Sequence, residues 1–157
     1  MVPEVSAVLG ELRALWGEVE AIIGSLPPQA LTYRPAAGFN SISVLAVHLA
    51  GSQTWWVGEI IAGRDMHRDR DAEFRAEESD PAALVGRLRQ AAALVCETLE
   101  ALPAEALDQT RPYRGQPMAV RAILARLVAH AARHAGHMQI LRKLWMLQGT
   151  TSATPRR

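Results

Sequence analysis

The 157-residue chain predicts an all-α fold, a four-helix bundle with long connections between helices 1 and 2, 2 and 3, and 3 and 4. Three observations support this. Four segments repeat apolar residues at spacings of three and four. No segment alternates apolar and polar residues as a half-buried strand does. The prolines stand at the ends of those segments or between them. The length suits one domain whose core needs neither disulfide nor structural metal. A single bundle domain is expected over residues 1–149, followed by a disordered tail over 150–157.

Helix 1 is expected over residues 4–24. Pro3 stands at its start, and Val5, Val8, Leu12, Leu15, Trp16, Val19, Ile22 and Ile23 form its apolar stripe. Gly24 and the pair Pro27-Pro28 end it, and the proline-containing stretch from Leu26 to Gly38 is an irregular connection. Asn40 or Ser41 caps helix 2, which runs to about Ala62. Ile42, Leu45, His48, Leu49, Ser52, Trp55 or Trp56, and Glu59 fall at its inward positions. The run Arg64 to Asp71 is too charged for a core and reads as a solvated crossover anchored by Phe74. Ser79 or Asp80 caps helix 3, with Pro81 in its first turn and Pro103 as its stop. A second connection over 103–117 has room for one helical turn at Ala104 to Leu107. Helix 4 follows from about Met118 to Leu147, ending before Gly149.

Composition excludes several classes. Seventeen Lys and Arg against sixteen Asp and Glu leave a formal charge of +1. The signs are interspersed, so no basic stripe for nucleic acid is evident. Cys96 is the single cysteine, which forbids an intrachain disulfide, and its apolar neighbours suggest a buried small residue. The first residues lack a basic region followed by an apolar stretch, and no uncharged apolar run approaches the ~20 residues of a membrane span. A cytoplasmic protein without membrane or nucleic-acid partners is expected.

Chemistry gathers in the histidines. His130, His134 and His137 fall within an arc of about 60° on helix 4. The same stripe bears Ile123, Leu127, Leu141 and Leu144, so the imidazoles are expected to point inward. Two histidines one turn apart can chelate one ion, and His48, in the inward register of helix 2, can supply a third donor. A lone histidine on an apolar face is more often a hydrogen-bonded core residue, but three on one stripe facing a fourth favour a shared cation. His137 can pair with His134 or stand beside the ion, touching what it holds; the second is preferred. Trp55 is placed at a small-molecule pocket and Glu59 as a distant base, about three turns beyond His48. A zincin carries its base between its two histidines, and Ala131, Ala132 and Arg133 fill that gap here, so peptidase chemistry is not expected.

Two stretches resemble the DinB/YfiT-like superfamily of metalloenzymes. One is Asn40-Ser41-Ile42-Ser43-Val44-Leu45-Ala46-Val47-His48-Leu49-Ala50-Gly51, with Trp55-Trp56 and the later Arg68-Asp69-Arg70-Asp71-Ala72-Glu73-Phe74. The other is His130-Ala131-Ala132-Arg133-His134-Ala135-Gly136-His137-Met138-Gln139-Ile140-Leu141-Arg142. The resemblance covers most of residues 5–147. It implies a four-helix bundle, His48, His130 and His134 as metal ligands, and position 137, often glutamine in that family, close to the metal. It implies thiol-dependent S-transferases that use mycothiol, bacillithiol or a similar low-molecular-weight thiol, and commonly a homodimer, which exposed tryptophans would suit.

The expected function is a metal-dependent thiol S-transferase or hydrolase acting on a small molecule. The alternative is a non-catalytic metal-binding or stress-associated bundle. Imidazole ligation suits zinc, nickel, iron(II) or copper(II), with zinc or nickel placed first and iron next.

Overall fold

The computed structural model describes residues 1–151, with side chains through residue 148. Helix α1 spans Pro3–Gly24 and buries Val5, Leu9, Leu12, Trp16, Val19, Ile22 and Ile23, the three-and-four spacing of one face. Its end is tied by Ser25, whose hydroxyl donates to the Ile22 carbonyl at 2.8 Å. A single turn, α2 (Pro28–Leu31), tucks Ala30 and Leu31 under the first connection. Helix α3 (Ile42–Thr54) starts at Ser41, whose hydroxyl accepts from the Val44 N–H. Asp80 caps α5 (Pro81–Glu100) in the same way.

Four helices close the ring of the bundle: α1 packs on α5 and on α6 (Val120–Thr151), and α3 packs on the same two. Helix α3 is buried on every side from Ile42 to Ala50. Its outer surface is covered by α2 and by α4 (Arg70–Phe74), a short helix of the crossover capped by Asp69. An all-round apolar helix of this kind is what a bundle with a covered outer face needs. Inside, the Trp16 indole N–H donates to Gln53 Oε1 at 2.9 Å and ties α1 to α3.

The structure departs from the sequence reading at several points. Helix 2 is not α-helical to Ala62: after Thr54 the chain widens into a π-helix, Trp55–Ile61, and stops at Gly63, whose φ is +70°. The crossover is not simply solvated, because Arg68 and Glu73 turn inward. The 103–117 connection contains the expected helical turn, a 3₁₀ helix (Ala104–Asp108), but also a hairpin that alternation did not reveal, β1 (Thr110–Tyr113) antiparallel to β2 (Gln116–Ala119). Pro112 and Pro117 face each other in the ladder, which hides the strands from propensity. Arg114 and Gly115 both take positive φ, as a two-residue turn matched to strand twist requires. Helix α6 begins at Val120 rather than Met118 and continues through Gly149 to Thr151, so part of the expected tail is helical; residues 152–157 lie outside the described residues.

None of the tryptophans is exposed: Trp16 and Trp56 are buried, Trp55 and Trp145 half-buried. Exposed tryptophan therefore lends no support to a dimer. No helix among the described residues is long and apolar enough to cross a membrane.

Replacing Gln53 by Leu strands the Trp16 N–H in the core, so a loss of about 1–3 kcal/mol is expected in urea unfolding. Pairing it with Trp16→Phe should recover most of that loss; an unchanged midpoint in the single variant would show that the hydrogen bond is immaterial.

Candidate metal centre

Helices α3 and α6 bring three imidazoles together. His130 and His134 stand one turn apart on α6, with their Nε2 atoms 3.0 Å from each other. His48 meets them from α3, its Nε2 at 3.3 Å from that of His130. One ring nitrogen from each lies within 4.8 Å of the others. Nitrogens about 2.0–2.1 Å from a common tetrahedral ion would sit about 3.3 Å apart, so the spacing fits a shared cation.

The far side of each ring shows which nitrogens are free. His48 Nδ1 lies 2.8 Å from Glu73 Oε2, and the carboxylate can only accept, so Nδ1 carries the proton and Nε2 presents a lone pair to the cluster. His130 Nδ1 is 3.4 Å from Ser52 Oγ, whose own proton goes to the Leu49 carbonyl. That hydroxyl is left to accept, and His130 Nε2 is likewise directed at the cluster. His134 Nδ1 is buried with no hydrogen-bond partner among the described residues. Burial, followed by the cationic surroundings of His48, Arg133 and Arg68, pushes the His130 imidazole down to about 4. Burial and the neighbouring His130, His48, His137 and Arg133 push His134 down to about 3. Both rings are therefore neutral at pH 7, as metal ligation requires. Three converging nitrogens with too few protons to share are the donor set a divalent ion satisfies.

The crossover finishes the site from outside. Glu73, 6 % exposed, accepts from Arg68 Nε at 2.7 Å and Nη2 at 2.8 Å, and from His48. Burial alone would raise its carboxyl; the hydrogen bonds from Arg68 and His48 outweigh that and hold it below the usual carboxylate range. Gly51 makes this possible. A Cβ there would land on Glu73 Oε1 and 2.8 Å from Cδ, and the carboxylate could not retreat without giving up its hydrogen bonds. Phe74 adds its ring against His48, 4.7 Å between centroids.

The imidazoles of His48 and His130 open onto a cavity of about 550 Å³. Trp55, Trp56 and the hairpin's Tyr113 form an aromatic wall, the Trp56 and Tyr113 rings 4.5 Å apart. Arg68, Arg70, Arg114, Arg126 and Arg133 complete the lining, and no carboxylate belongs to it.

Of the residues singled out by sequence, the structure unites His48, His130 and His134 and sets Trp55 at the cavity that His48 and His130 line. Two others fall elsewhere. His137 is exposed, 5.8 Å between ring centroids from His134, and lines a separate cleft with Phe39, Leu45 and Ile140. The buried stripe of α6 runs through Leu127, Ala131, Ala135 and Met138, so the histidines occupy one flank of it and His137 lies farthest round. Glu59, in the π-helix, does not line the cavity, and the expectation of a base there is not met. Glu73, Arg68 and Ser52 are the functional positions that spacing did not single out. An acid five residues after an arginine in a charged run, with a glycine on the facing helix, was the available signal.

The two depressed histidines make the metal-free protein acid-sensitive. Below about 6.5 the unfolded chain takes up protons that the folded one refuses, so stability is full above that value and falls as pH drops toward 4 for His130 and toward 3 for His134. A thermal midpoint measured after chelation should fall between pH 7.5 and 5, with a flatter profile in His130→Leu/His134→Leu; equal slopes in both proteins would contradict the assignment.

Residues 7–146 match the mycothiol-S-transferase family. No curated protein matches the chain. Among solved structures, it is similar to a conserved protein from Enterococcus faecalis, at 16% identity and a TM-score of 0.76 over 92% of this chain and 98% of that one. It is also similar to a DinB-like protein from Bacillus cereus, at 16% identity and a TM-score of 0.74 over 88% and 90% of the two chains. At that identity the likeness is one of fold, an all-α bundle of DinB type. Matched over nearly its whole length, the chain belongs to the mycothiol-S-transferase family.

Proposed function

We propose that the protein is a metal-dependent thiol S-transferase in which His48, His130 and His134 hold one divalent ion and the adjoining cavity receives a low-molecular-weight thiol and a small electrophile. The observation that carries this reading is the convergence of three imidazole nitrogens, those of His130 and His134 neutral, beside an open cavity. Membership of a family described by mycothiol S-transfer supports the thiol, with mycothiol itself, or a related thiol, as the donor.

The chemistry that a bound zinc, nickel or iron(II) ion supplies at such a site is a lowered pKa for a coordinated thiol, which makes the thiolate available at pH 7. His48, His130 and His134, as imidazole donors, would hold the ion without cancelling its charge. The protein's own groups do the rest. Glu73 fixes the His48 ring and its tautomer through Nδ1. Its three hydrogen bonds and lowered pKa make it a poor base, so it positions a ligand rather than moving the thiol proton. With no carboxylate in the lining, that proton leaves to solvent through the cavity mouth. The arginines favour the thiolate over the thiol, and Trp55, Trp56 and Tyr113 exclude water from the sulfur.

Elemental analysis tests the foundation. About one equivalent of transition metal is expected in the wild type and little in His48→Ala or His134→Ala. Glu73→Gln should retain the fold and weaken metal binding by roughly 10–100-fold; Gly51→Ala should act in the same direction by displacing Glu73. A wild type that takes up no metal after reconstitution with zinc, nickel and iron would leave a non-catalytic bundle. Metal-loaded protein that never transfers a thiol would leave a metal-binding one.

A further inference from the structure

The arginines of the cavity are out of proportion to the charge of the chain. The whole protein carries +1, yet five of its seventeen cationic residues line one cavity. Elsewhere, four arginines reach acids, Arg13 pairing with Glu100, Arg34 with Glu77, Arg89 with Glu20 and Arg121 with Asp108, while Arg64, Arg75, Arg87, Arg111 and Arg142 form no ion pair among the described residues. At the cavity only Arg68 has such a partner, Glu73, which is already shared with His48. Arg70, Arg114, Arg126 and Arg133 form no ion pair among the described residues. Like charges gathered around a concavity repel one another, and their arrangement is stabilised when an anion enters.

Three of these four exposed guanidiniums also lie over rings. Arg114 and Arg126 both lie over the Tyr113 ring, at 5.2 and 5.9 Å from its centroid, and Arg70 lies over Phe74 at 4.7 Å. On α6, Arg126, His130 and Arg133 recur at spacings of four and three, which sets two of the cations on the helix face that carries a candidate ligand. A volume of about 550 Å³ lies in the range of small-molecule sites, and Trp56 and Tyr113, tilted by 31°, offer an aromatic wall. Arginine forks are the side chains best matched to carboxylate and phosphate oxygens.

We propose that this arginine-lined cavity selects a small organic anion, with a carboxylate, phosphate or sulfonate on a planar or unsaturated body, as the partner that accepts the thiol. The thiol-accepting role rests on the function proposed above; the anion selection rests on the arginines alone.

Cinnamate and cinnamamide share a planar body and differ in charge, which makes them suitable probes for titration calorimetry at low salt. The purified wild type is expected to bind cinnamate at least about tenfold more tightly than the amide, with the gap narrowing as salt is raised. In Arg114→Gln/Arg126→Gln the preference should shrink to about threefold or less. Arg70→Gln, on a separate element, should reduce it independently, and Arg89→Gln, away from the cavity, should leave it intact. Failure of cinnamate to bind, equal affinity for the two probes, or a preference that survives in folded double variant overturns the proposal. Metal content measured on the same samples separates the two readings. A metal-free wild type that still prefers cinnamate sinks the metal centre and retains the anion site; a metal-loaded one without preference does the reverse.

Discussion

The carboxylate of Glu73 is the interaction on which the rest of the site depends. A buried charge is costly unless its partners are complete, and this one is met by a two-pronged arginine and by an imidazole N–H. Through Arg68 it draws the charged crossover against α3; through His48 it fixes which ring nitrogen faces α6. The same oxygen atoms therefore organise a tertiary contact and a tautomer. Helix α3 has to be buried on its outer side to host them, and it has to lack a side chain at Gly51 to admit them.

The π-helix after Thr54 adds a second constraint. Two successive tryptophans of the widened turn at Trp55–Ile61 line the cavity, Trp56 buried and Trp55 half-buried. Such widened turns collect at functional sites because they re-aim side chains without ending the helix. Here the change falls one turn beyond the pair Gly51-Ser52 that serves the imidazoles, so ligand support and cavity wall are successive parts of one continuous helix.

Much of this was legible in the sequence, since periodicity is local. The bundle helices follow from spacing, side-chain chemistry narrows the caps to Asn40 or Ser41 and to Ser79 or Asp80, and His48, His130 and His134 could be grouped by register. What escaped was decided by tertiary packing. The inward turn of Arg68 and Glu73 contradicts the polarity of their segment because each satisfies the other. Strands β1 and β2 carry a proline each and show no alternation, so pairing rather than propensity makes them. His137 shares an arc with two half-buried histidines and still faces solvent, because a stripe's flank is set by what packs beside it. Gln53 and Trp16 illustrate the same limit, being polar partners matched across two helices.

The hairpin has a consequence for how such a protein can diverge. Tyr113 and Arg114 reach the cavity from a ribbon of two four-residue strands that stands outside the ring of bundle helices, joined to it through Gln109 and Val120. Insertions and exchanges at such a tip leave α3, α6 and the crossover untouched. What the hairpin brings to the cavity, Tyr113 and Arg114, is thus a separable inheritance: a lineage can edit a surface ribbon while the imidazoles and the tryptophans beside them pass on unchanged.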